Sequence, residues 1–205
     1  MHSKRPLIVG LGGSIRPNAM SERAISIALE HVARRGCRTQ LLGHAEMPLE
    51  LFDPATRERS ERAHHLVDSL RQADGLIIAT PSYHCGVSGL IKNAIDFIED
   101  LRNDERPYLE GRAVGIIVCA DGLQAIGSTI SSLRDIIHAL RGWPTPYAAS
   151  ILNTGHPFGG DGQESDPAAL RACQLVADEV FEFTRMKAFS TPGFTHQHPA
   201  SSGMP

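Results

Sequence analysis

Aromatic side chains are scarce in this 205-residue chain: one tryptophan, three tyrosines and seven phenylalanines, 5% of the total. That is too few to stack a flat ligand between several rings. Long apolar runs are also missing. Nothing approaches the roughly 18 consecutive apolar residues that a membrane span needs. The basic opening MHSKRP is followed by no long apolar segment, so no secretion signal is expected. Neither sign of charge dominates: 20 Lys and Arg against 23 Asp and Glu leave a net charge of -3. The chain therefore has no basic field for nucleic acid. Cysteines number four, none in a CxxC pair, and their spacings match no zinc pattern. Reduced thiols in a cytoplasmic protein are the expectation. His64–His65 and the pair His196 and His198 are the tempting ligands, but no metal site is expected from them.

What remains is an ordinary globular composition, 41% hydrophobic and 21% charged, of a size that suits one domain. Residues 1–189 are expected to form that domain. Residues 190–205, rich in Ser, Pro, Gly and His, read as a flexible tail or one that packs on a partner subunit.

Strand-like and helix-like segments alternate. PLIVGL (6–11), CRTQLLG (37–43), GLIIAT (75–80), AVGIIVCA (113–120) and PYAASIL (146–152) read as strands. Helical stripes run through Ile25, Ala28, Leu29 and Val32; through Ala63, Leu66, Val67 and Leu70; and through Leu90, Ile91, Ala94, Ile95 and Ile98. Two more run through Ile130, Leu133, Ile137 and Leu140, and through Leu170, Cys173, Ala177, Val180 and Phe181. Strands that are apolar throughout, separated by helices, predict an α/β fold: a doubly wound, five-stranded parallel sheet with helices on both faces. Ligands of such sheets sit outside the carboxyl ends of the strands where strand order reverses. The loops after the first, third and fourth predicted strands are therefore the candidate site.

The first loop runs from Gly12 to Ser21. Its glycines allow close backbone approach, Ser14 and Ser21 offer hydroxyls, and Arg16 offers a charged fork suited to phosphate. A helix follows, with free N–H groups at its start. The loop lacks the ending of a Walker motif and the third glycine of GxGxxG, so a phosphomonoester is favoured over a pyrophosphate. The plain alternative is a strand–helix turn with Ser21 as N-cap. The second loop, Thr80 to Gly89, is polar and glycine-rich. Its N–H groups would read the edge of a flat heterocycle with Tyr83 or His84 against it. The third loop, Ala120 to Ser128, has the same character. Asp121 there is either a local backbone acceptor or a direct ligand contact.

The segments GGSIRPNAMSERA (12–24), TPSYHCGVSGLIKNAIDF (80–97) and CADGLQAIGS (119–128) resemble the NADPH-dependent FMN reductase family of flavodoxin-like proteins. The likeness spans about residues 6–152. Thr80, Pro81, Tyr83, Gly86, Gly89, Lys92, Asn93, Ala94 and Asp96 stand where that family has them. Cys85 replaces a small polar residue or glycine and reads as a tolerated small residue.

The resemblance implies a flavodoxin-like, FMN-binding domain and hydride transfer from NADPH or NADH to FMN. It implies that Ser14, Arg16 and Ser21, with Asn18 beside them, hold the FMN phosphate. Pro81, Ser82, Tyr83, His84 and Gly86 would border the isoalloxazine ring, and Asp121 and Gly122 would flank its other side. No catalytic acid or base is implied. Lys92, Asn93 and Asp96 are expected to hold the shape of the second loop. The family further implies a homodimer or homotetramer, with Trp143 and the third helix as candidate contacts, and a monooxygenase as a possible partner. Two other readings stay open: an enzyme with bound FMN that reduces quinones, azo dyes or metal ions, and a non-enzymatic flavodoxin-type electron carrier. The modest charge and few aromatics count against the carrier. A phosphosugar or nucleotide binder without redox chemistry is disfavoured by the second loop. Preference for NADPH would need a cation at the rim, for which Arg16, Arg23, Lys92 and Arg102 are all candidates.

Overall fold

A computed structural model describes residues 5–160 and 163–189. In chain order the elements are β1 (Leu7–Gly12), α1 (Met20–Arg34), β2 (Arg38–Leu42), α2 (Glu61–Gln72), β3 (Gly75–Tyr83), β4 (Gly86–Val87) and α3 (Gly89–Asp96). A 3-10 turn (Phe97–Leu101) follows, then β5 (Ala113–Ala120), α4 (Leu123–Ala139), β6 (Trp143–Leu152), β7 (Phe158–Gly160), β8 (Gln163–Ser165) and α5 (Pro167–Phe189).

The main sheet has the order β2-β1-β3-β5-β6, with every neighbouring pair parallel. With the small β4 set aside, this is the 2-1-3-4-5 order of flavodoxin-like folds. All six residues of β1 and all eight of β5 are buried. Their apolar runs are continuous because helices cover both faces of the sheet. One core lies beneath α2, α3 and α4 and includes Leu66, Ile91 and Leu133. The other lies beneath α1 and α5 and includes Ile25, Leu29 and Val176. The chain leaves β1 toward β2 on one side and returns to β3 on the other, so strand order reverses between β1 and β3.

Several boundaries differ from the sequence reading. Helix α1 starts at Met20, ahead of the Ile25 stripe. The third helix ends at Asp96, and Phe97 and Ile98 belong to the 3-10 turn. β3 runs through Pro81 and Ser82 to Tyr83 and turns back as β4, where only a loop was expected. The antiparallel β7–β8 hairpin was not anticipated. β6 begins at Trp143 and carries Pro144 and Pro146 on the outer edge of the sheet, with a register shift against β5 between Val114 and Ile116. The tail from residue 190 onward, with His196 and His198, lies outside the described residues. Among the described residues, no helix is long and apolar enough to cross a membrane, and no cluster of His, Cys, Asp and Glu is arranged to hold a metal.

Candidate functional site

The first two candidate loops are bonded to each other. Gly13 N–H donates to Ala79 O at 2.8 Å, and Ser88 Oγ donates to Gly13 O at 2.9 Å. A Cβ on Gly13 would sit 2.8 Å from Ala79 O and 2.9 Å from Thr80 Cα, so only glycine fits. The close approach it permits is to β3 itself. Ser88 is buried and also caps α3, accepting from Ile91 N–H.

At the start of α1 the helix lacks its usual side-chain cap. The N-cap is Ala19, and no side chain accepts from the first turn. Ser21 lies inside the helix and so does not play the capping role considered for it. The residue is 1% exposed, and among the described residues its Oγ has no hydrogen-bond partner. A buried hydroxyl left in that state costs about 1–3 kcal/mol, which marks the position as one that awaits a partner. Ser14 Oγ accepts the Arg16 N–H at 3.1 Å and shapes the loop. The exposed Arg16 guanidinium has no ion-pair partner among the described residues.

These groups open on a cavity of about 350 Å³. Ser14, Arg16 and Ser21 form one side. Pro81, Ser82, Tyr83 and Asp121 form the other. The carboxyl-end rule thus gathers seven of the predicted site residues in one place. Asn18, His84, Gly86 and Gly122 do not line it. Asn18 turns into a neighbouring groove instead. Arg16 and Asp121 are the charged residues of the lining. Cys119 also lines the cavity, but burial pushes its thiol pKa far up and keeps it neutral.

The second loop is a tight hairpin in which Tyr83 pairs with Gly86. His84 and Cys85 form its two-residue turn, with φ of 52° and 62°. The left-handed backbone thus falls on two non-glycine residues of this glycine-rich loop. Both φ values are positive, as a type I′ turn requires. Ser82 Oγ donates to Ala125 O at 3.2 Å and lies 2.7 Å from Thr129 Oγ1, so its hydroxyl fastens the hairpin to α4. Lys92 pairs with Asp96 on α3. Asn93 holds a different loop from the one expected. It accepts from Phe52 N–H at 2.9 Å and donates to Glu50 O at 2.8 Å, fastening the segment after β2.

In the third loop Asp121 accepts a hydrogen bond from Asn153 Nδ2 at 3.0 Å, and Gly122 is the N-cap of α4. Asn153 was missed in the sequence. It follows directly on β6, and its own N–H donates to Ala120 O at 3.0 Å. The rule that pointed to the other loops applied equally to the end of the last strand. Glu22 and His44 were missed as well: Glu22 Oε2 accepts from Asn18 N–H at 2.9 Å, and Oε1 from His44 Nδ1 at 3.0 Å.

Known proteins resemble the chain along most of its length. The sequence model of the NADPH-dependent FMN reductase family matches residues 6–157. An FMN-dependent NADPH-azoreductase of Staphylococcus aureus is 26% identical over 179 residues, covering 83% of this chain and 91% of that protein. Among solved structures, the flavoenzyme NAD(P)H:(acceptor) oxidoreductase FerB from Paracoccus denitrificans superposes with a TM-score of 0.67. It is 21% identical, over 89% of this chain and 98% of its own. An apo NADH:FMN oxidoreductase (EMOB) gives a TM-score of 0.64 at 20% identity, over 91% of this chain and 92% of its own.

Proposed function

This chain belongs to the NADPH-dependent FMN reductase family and is an NAD(P)H:FMN oxidoreductase; we propose that FMN binds in the cavity at the carboxyl ends of β1, β3 and β5. Residues 1–189 would form the single flavin-binding domain. The observation that carries the placement is Ser21: a buried hydroxyl without a partner, on an uncapped helix start, beside an unpaired arginine. This donor set fits a phosphomonoester. Ser21 and Ser14 hydroxyls donate to its oxygens, Arg16 adds a charge-assisted fork, and the first-turn N–H groups of α1 add the positive end of the helix dipole.

Hydride transfer from NAD(P)H to FMN and return of the electrons to an acceptor are the chemistry the group supplies when bound. The chain's own residues bind and orient. Pro81, Ser82 and Tyr83 form one wall, and Ser82 keeps it rigid through α4. Asn153 fixes the direction of the Asp121 carboxylate on the same side. Tyr83 is 56% exposed and leaves its side of the cavity open to a second ligand. His84 and Gly86 form the hairpin rim. Asn18 shapes the phosphate loop from outside the cavity, and Gly122 starts α4 beside Asp121. No side chain is required as an acid or base.

The finer reading is of a cytoplasmic homodimer or homotetramer that delivers reduced flavin to a monooxygenase. Trp143, 58% exposed and packed against Phe183 at 5.8 Å, is the contact we favour. A second reading keeps FMN bound and passes electrons to azo compounds, quinones or metal ions. The staphylococcal azoreductase, aligned over most of both chains, favours it. NADPH and NADH oxidation in air, with and without added FMN, separates the two. Turnover that saturates with FMN supports the flavin reductase. Turnover indifferent to free FMN but raised by a quinone supports the bound-flavin acceptor reductase. No oxidation after FMN reconstitution overturns both.

A further inference from the structure

A second hollow of about 390 Å³ lies on the far side of the α1 first turn, closed by β7, β8 and the start of α5. Ala19, Met20 and Ser21 face the flavin cavity, whereas Asn18, Glu22 and Arg23 face this groove. One helical turn separates the two. The groove has a cation in Arg23, polar groups in Asn18 and Ser165, and an apolar wall of Phe158, Ile27 and Leu170.

Arg23 is held without being neutralised. Its Nη2 donates to Phe158 O, and its guanidinium lies 5.8 Å from the centre of the Phe158 ring. No carboxylate is within ion-pair distance of it among the described residues. Its other N–H groups remain available, and a guanidinium fork suits a phosphate. The acid in the groove, Glu22, already accepts from Asn18 N–H and His44 with its two oxygens.

Ion pairing and position narrow the four cations open to a 2′-phosphate. Lys92 is bound to both Asp96 oxygens, at 2.6 and 2.8 Å. Arg102 pairs with Glu99 at 3.0 Å. Arg16 belongs to the flavin cavity. Arg23 remains, fixed in direction and beside a space large enough for a mononucleotide.

We propose that this groove receives the 2′-phosphoadenosine end of NADPH, with Arg23 on the 2′-phosphate and the purine against Phe158, Ile27 and Leu170. The proposal rests on the flavin reductase reading, since it places the nicotinamide end of the same molecule over the cavity across the α1 turn. Arg23 is then the residue that prefers NADPH over NADH.

Calorimetry of the full chain with adenosine 2′,5′-bisphosphate and with 5′-AMP tests it directly, with or without flavin. The bisphosphate is expected to bind at least about tenfold tighter, and Arg23→Gln to bring the two within about twofold. The ratio of kcat/KM for NADPH over NADH should fall at least about tenfold in the same variant. Ser165→Glu leaves the Arg23–Phe158 contact in place but sets an acid in the groove, and should lower that ratio too. Equal binding of the two nucleotides by the unmodified chain, or an unchanged ratio in both variants, overturns the proposal. Failure of the flavin reductase reading would appear separately, as absence of NADH and NADPH oxidation while nucleotide discrimination persists.

Discussion

Glu22 fixes Asn18: its carboxylate accepts the Asn18 N–H at 2.9 Å, across the loop that enters α1, and Asn18 sits in the left-handed region at φ 58°. The other carboxylate oxygen takes His44 Nδ1. A Cβ on Gly43 would lie 2.5 Å from that oxygen, so Gly43 makes room for it. One acid thus joins the phosphate loop to the segment after β2. Glu22→Ala should weaken FMN binding by about tenfold while riboflavin, which has no phosphate, changes by less than about twofold. Quenching of flavin fluorescence by the apo-protein measures both, and equal losses for the two ligands would refute a role at the phosphate.

Ser21→Ala should have opposite effects on stability and binding. Removing a buried, unpartnered hydroxyl is expected to stabilise the apo-protein by about 1 kcal/mol. Losing a phosphate donor is expected to weaken FMN by about tenfold. Denaturant midpoints and FMN titrations of the same preparation check the pair. A destabilised apo-protein would mean that Ser21 has an internal partner after all.

The hairpin turn at His84 and Cys85 places two ordinary residues at positive φ. Cys85→Gly removes a left-handed strain of about 1–2 kcal/mol against an entropic cost of about 0.5–1 kcal/mol for the added glycine, and should raise stability slightly. His84→Asn suits a type I′ turn and should act in the same direction. A fall in thermal stability for both would argue that these side chains hold the turn in another way.

Asp178 on α5 accepts from His31, at 2.7 Å, and from Arg35 on α1. Burial raises its pKa, but those hydrogen bonds and charges outweigh it and hold the carboxyl below its usual 3.8. A depressed native pKa means stability that is present above the unfolded value and lost as pH falls through the native one. Thermal scans of Asp178→Asn should therefore lie below those of the parent chain at neutral pH. The two should converge below about pH 4. A gap that persists at low pH would sink this assignment.

Much of this architecture was legible because it depends on short-range pattern. β1 and β5 are apolar throughout, β3 is apolar over its first five residues, and the helical stripes are regular, so a helix-covered parallel sheet and the meeting of three loops followed. Ser14, Arg16, Ser21 and Asp121 fell where the rule put them. What escaped depends on residues far apart in the chain. Asn153 reaches Asp121, Thr129 reaches Ser82, and His44 reaches Glu22, and no local spacing signals such pairs. The β3–β4 hairpin was hidden because His-Cys is not a turn dipeptide. The three-residue strands β7 and β8 are too short to carry a period.

The two prolines of β6 bear on how copies of this chain can meet. Pro144 and Pro146 have no N–H to offer along the outer edge of the sheet, and the register shift beside them bends that edge away from an even ladder. A neighbour therefore cannot be recruited as an additional strand along the first half of β6. Contact at that stretch is left to side-chain faces, which can be tuned or lost by single substitutions without disturbing the sheet. That part of the border is closed to strand pairing by covalent structure alone.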